Sequence, residues 1–93
     1  MPEFLMLMKR GGGSEEGDWG DYIQKLRQRP EFRGGSSLGN GVSVSRQAMS
    51  DQCIVTGFLR FEADTIGVVR ELLDGNPLFE AGGEIEILEL LED

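Results

Sequence analysis

Between Ile54 and Phe61 the chain reads IVTGFLRF, a strand-length run that is apolar on both of its alternating sides. Successive side chains of a strand point to opposite faces. Ile54, Thr56, Phe58 and Arg60 therefore share one face, and Val55, Gly57, Leu59 and Phe61 share the other. Neither set suits lasting contact with water, so a sheet built around this strand needs cover on both sides. Helices supply one layer at most in a chain this short. Something else must supply the other.

The remaining periodicities give the elements around that strand. Phe4 to Met8 is an unbroken apolar run of strand length, ended by Gly11-Gly12-Gly13, and reads as a strand covered on both faces. The glycines lack the lysine and hydroxyl of a phosphate loop, and Glu15 and Glu16 follow them, so they read as a plain connection. Trp19, Tyr22, Ile23 and Leu26 recur at helical spacing. That helix starts near residue 15 or 18, capped by Ser14 or Asp18, and stops before Pro30. Asn40-Gly41 is a tight-turn dipeptide, and the alternating Val42-Ser43-Val44-Ser45 after it predicts a second strand over 42–46. Ile66, Val69, Leu72 and Leu73 give a second helix, with Asp64 as its cap and Gly75 and Pro77 as its stop. Gly82-Gly83 then turns into a last strand, in which Ile85 and Ile87 face one way and Leu88 and Leu90 the other.

The order strand, helix, strand, strand, helix, strand predicts an α+β chain of ferredoxin-like βαββαβ type. It has a four-stranded antiparallel sheet with two helices on one face. The apolar face left over predicts a homodimer in which two sheets pack face to face, since an uncovered patch of that size is unusual in a monomer.

At 93 residues the chain is a single domain, residues 1–93, and 39% apolar composition suits a globular rather than a disordered chain. A net charge of -8 argues against nucleic acid, where affinity rests on neutralising phosphates. The cationic cluster Lys25, Arg27, Arg29 and Arg33 falls at the end of the first helix, where it complements the helix dipole, with phosphate binding as the lesser reading. The apolar run Phe4 to Met8 is too short to span a membrane, and its basic residues Lys9 and Arg10 follow it rather than precede it as in a secretory signal. The single cysteine, Cys53, has no partner for an intrachain disulfide and reads as a small buried hydrophobe. Together these features lead us to expect a cytoplasmic protein with no membrane association.

Val55-Thr56-Gly57-Phe58, then Phe61-Glu62-Ala63-Asp64, then Asn76-Pro77 and Ala81-Gly82-Gly83-Glu84-Ile85-Glu86-Ile87, resemble the YCII-related (DGPF) family. The resemblance extends over most of the chain and is most specific over residues 55–87. It implies a dimeric α+β barrel, and it hints at an accessory role, since DGPF-type proteins often accompany extracytoplasmic-function sigma factors. The Asp-Gly-Pro-Phe motif itself is absent, with Asp51 in the corresponding place. The better-studied YCII-like branch is thought to use a histidine-aspartate pair. This chain has no histidine, and Trp19 occupies the matching position in the first helix.

General acid-base work therefore falls to carboxylates or to Cys53. Asp51 and Glu80 read as loop residues, and Glu84 and Glu86 as a solvated strip guarding the closing strand. Arg60, on an otherwise apolar strand, needs a carboxylate partner or an anionic ligand. Trp19, Tyr22 and Phe58 are candidates to line a pocket between the first helix and the sheet, with Arg60 at its polar end and Asp51 nearby. The function this supports is a dimeric small-molecule-binding or accessory module for a small organic ligand. The alternative is a minor lyase- or isomerase-like enzyme acting through a carboxylate and Arg60. No metal and no cofactor are expected.

Overall fold

The computed structural model describes residues 1–50 and 54–91. Asp51 and Cys53 lie outside the described residues. Strand β1 (Glu3–Lys9) opens the chain. Its burial alternates: Phe4, Met6 and Met8 are buried, while Leu5, Leu7 and Lys9 are only half-buried. Helix α1 (Trp19–Arg27) follows, with Asp18 as its cap; the Asp18 carboxylate accepts from the Gly20 amide at 2.7 Å and the Asp21 amide at 3.4 Å. This satisfies backbone donors that have no partner inside the helix.

The next strand departs from the sequence expectation. The strand that joins the sheet is β2 (Phe32–Ser37), reading FRGGSS, and not residues 42–46. Ser43–Val44 (β3) pairs only with Met49–Ser50 (β4), in a separate two-stranded piece. The turn between them is made by Ser45 and Ala48: the Ser45 amide donates to the Ala48 carbonyl at 2.7 Å, and the Ser45 hydroxyl accepts from the Ala48 amide at 3.0 Å. Local alternation favours VSVS as a strand, but contact with the long central strand decides which segment joins the sheet. Gly35, opposite Leu59, has no side chain to keep the two backbones apart.

That central strand is β5 (Val55–Glu62). Helix α2 (Ile66–Glu71) has Thr65 rather than Asp64 at its cap position, with no side-chain cap bond, and it ends before Leu72 and Leu73; Gly75, with φ +87°, closes the turn after it. Pro77 does more than stop this helix. It is the first residue of a short helix α3 (Pro77–Glu80), and the Asn76 side chain accepts from the Phe79 amide at 3.0 Å. Proline suits that position because its missing N–H would have had no helical partner. Strand β6 (Ile85–Leu90) ends the fold.

The four long strands form one antiparallel sheet in the order β2-β5-β1-β6. Phe4, Met6 and Met8 of β1 and Leu59 and Phe61 of β5 join Tyr22 and Leu26 of α1 and Val69 of α2 in a single core. The opposite face carries Leu5 between Arg60 and Leu88, and Leu7 between Phe58 and Glu86. Leu5, Leu7 and Phe58 are only half-buried and Leu88 is 47% exposed, so no layer covers this face among the described residues. Its charges are paired across its surface, Arg60 with Glu3 at 2.9 Å, Arg33 with Glu62 at 3.2 Å, and Lys9 with Glu86 and Glu84. The chain is flat, with extents of 43 × 39 × 18 Å. Among the described residues no helix is long and apolar enough to cross a membrane.

Candidate functional site

On the helix side of the sheet, α1 and β2 leave a cleft of about 460 Å³ between them. One wall is a single row of α1 and the turn before it: Glu15, Trp19, Ile23 and Arg27, each four residues from the next. Residues four apart on a helix stack on one face, so this row runs along the cleft beside the core stripe of Tyr22 and Leu26. The other wall is β2, from Phe32 through Gly34 and Gly35 to Ser36 and Ser37, and Met8, Leu59 and Leu78 also line the cavity. Gly34, with φ +96°, lies where the β2 register shifts against β5, and the irregularity opens the edge of the sheet.

The cleft is apolar in the middle and charged at its ends. Trp19 is half-buried, and its indole Nε1 donates to Glu15 Oε1 at 2.8 Å, which fixes the ring orientation at one end. The Trp19 ring meets Tyr22 edge to face, with centroids 5.9 Å apart. Arg27 stands at the other end, exposed to solvent. The neighbouring cations are engaged, Arg29 with Glu31 at 3.2 Å and Arg33 with Glu62. Their guanidinium groups, Arg29 above all, hold the Glu31 carboxyl below the usual range.

The residues singled out from the sequence are dispersed by this geometry. Trp19 and Phe58 border the cleft, although strand alternation turns the Phe58 side chain to the opposite face beside Leu7. Tyr22 is buried in the core instead, and its hydroxyl donates to the Leu72 carbonyl at 2.7 Å. Arg60 lies on the helix-free face of the sheet, far from a polar end of this cleft, and is bound to Glu3. Glu80 accepts from the Gly75 amide at 3.2 Å, which ties it to the loop ahead of α3. Glu84 and Glu86 hold Lys9, and their hydrogen bonds, that of Glu86 first, push the Lys9 ammonium above its ordinary range.

Glu15, Ile23, Arg27 and the β2 wall were not singled out from the sequence. The spacing of 19, 23 and 27 is visible in the helix pattern, but a basic residue near a helix end is equally accounted for by the helix dipole. The β2 wall is not visible in the sequence, because FRGGSS has neither apolar alternation nor β-branched residues. Among the described residues the only buried polar or charged side chain is Asn76, and no group of three or more His, Cys, Asp or Glu is placed to hold a metal ion.

Burial pushes the Tyr22 phenol above its ordinary value, partly offset by the nearby Asn76 amide. A raised folded-state value means that the stability Tyr22 contributes is complete below about pH 10 and is lost as pH climbs beyond that. Melting curves of Tyr22→Phe should therefore lie below wild type near neutrality, where the bond to Leu72 is missing. The gap should narrow as pH passes 10.

Comparison of the chain with protein-family models, with curated proteins and with solved structures finds no match.

Proposed function

We propose that this chain is a small-molecule-binding module that works as a homodimer. It is a ferredoxin-like unit of the YCII-related kind, paired through its open sheet faces into a dimeric α+β barrel. The cleft between α1 and β2 carries the binding reading: it has an apolar centre, charged ends and a tryptophan held in place by Glu15. Ligand sites are typically concave and largely apolar, with a few polar groups that fix orientation. An enzyme acting through Arg60 has less support, because Glu3 already neutralises that guanidinium on the far side of the sheet.

Trp19 is the sole tryptophan, so its indole N–H gives one isolated NMR signal inside the cleft. A panel of small flat apolar compounds should include members that move this signal saturably and raise the melting temperature. A panel in which none does so would overturn the binding reading.

The dimer has its own support. Leu5, Leu7, Phe58 and Leu88 form a continuous apolar surface whose bordering charges are already paired, so little polar desolvation opposes its burial. The radius of gyration of 14.2 Å exceeds the roughly 12 Å of a compact chain this long, as befits a thin half of a thicker assembly. Sedimentation equilibrium at micromolar concentration should give twice the chain mass. Leu7→Asp, which places a charge in the centre of the face, should give the monomer with its helical circular dichroism retained. Two copies of charge -8 repel one another, so added salt should tighten the dimer. A wild-type monomer at all salt concentrations would overturn this assembly.

A further inference from the structure

We infer that the cleft is selective for a flat apolar carboxylate, with its ring against Trp19 and Ile23 and its anionic group on Arg27; this rests on the binding reading above. Arg27 is four residues from Ile23 and eight from Trp19, so its Cα stands about 6 Å and about 12 Å along the helix axis from theirs. Those separations suit a one- or two-ring compound bearing an acid at one end. Among the described residues, the Arg27 side chain forms no hydrogen bond or ion pair, whereas those of Lys25, Arg29, Arg33 and Arg60 each have a carboxylate partner. It is thus the cation beside the cleft whose fork of donors is unspent, and that fork matches a carboxylate with two parallel bonds.

Orientation follows from the opposite end. Glu15 would repel an anion there, and its bond from the Trp19 indole holds the negative charge in place. A ligand acid is therefore driven toward Arg27 and away from Glu15. The facing β2 wall, where Gly34 and Gly35 carry no side chains, leaves width for a planar ring. A neutral compound of the same shape keeps the stacking and loses the ion pair.

The test compares 2-naphthoate, 2-naphthamide and 2-naphthylmethylammonium by the Trp19 indole N–H signal, with wild type, Arg27→Gln and Arg29→Gln. Naphthoate should bind wild type about two- to fivefold more tightly than the amide, the size of an ion pair to an exposed guanidinium. Arg27→Gln should remove that preference, and Arg29→Gln, whose guanidinium is held by Glu31, should keep it. Equal binding of naphthoate and naphthamide, or an unchanged preference in Arg27→Gln, would overturn the selectivity and leave the cleft as a binding site. If none of the three compounds moves the indole signal, the site and its selectivity fall together.

Discussion

Gly35→Ala should detach β2 from the sheet. A Cβ at this position would run into the Phe58 carbonyl oxygen and would lie 2.9 Å from Leu59 Cα, both of them main chain of the central strand. Backbone held in a ladder cannot swing aside as a side-chain tip can. The cost should reach or exceed the upper end of the ~1–3 kcal/mol typical of overpacked sites. Because β2 is also one wall of the cleft, the same change should abolish the ligand-induced shift of the Trp19 signal. Chemical denaturation and hydrogen exchange separate the two effects. Lost amide protection confined to 32–37 and to the β5 residues opposite is the expected result, and full protection there would contradict the close approach.

Gly83→Ala is the second large effect. The added Cβ would collide with Leu78 Cδ1, lie 2.6 Å from Leu78 Cγ and 2.9 Å from the Leu78 carbonyl oxygen. That carbonyl accepts from the Gly83 amide at 2.8 Å, and Leu78 is buried, so neither partner has room to retreat. The triple-glycine loop closes the other side: Gly12 has φ +82°, and a Cβ there would sit 2.8 Å from the Gly83 nitrogen. Nearby, the Gly13 amide donates to the Ala81 carbonyl at 2.8 Å. The two glycine clusters thus fit against one another. A drop in denaturation midpoint equivalent to about 1–3 kcal/mol is expected for Gly83→Ala. Leu78→Ala in the same chain should recover part of it by giving the new methyl group space, whereas additive losses would show that the contact with Leu78 is not the cause.

These glycines show how far the residue pattern could be read. Gly82-Gly83 was legible as a turn, and Gly11-Gly12-Gly13 as a loop without phosphate chemistry. That the two clusters meet was not legible, because no local pattern links Gly12 to Gly83 so far along the chain. Trp19 was legible as a residue of the helix face turned to the sheet and so as a pocket candidate, but the same pattern suits a core residue. Arg60 drew attention as a charge on an apolar strand, and its partner Glu3 was hidden because their pairing depends on the register of β1 against β5.

The order of residues alone sets where α1 and the strands β1, β5 and β6 form, because 3.6-residue and two-residue periodicities and Asp18 are local properties of the chain. It also determined that the central strand would be apolar on both faces. That FRGGSS, rather than VSVS, lines the sheet, and so which residues wall the cleft, is settled by contact across the fold. Strand membership there depends on how closely two backbones approach. That is a distance between segments far apart in the chain, and Gly35 permits it by having nothing to put in the way.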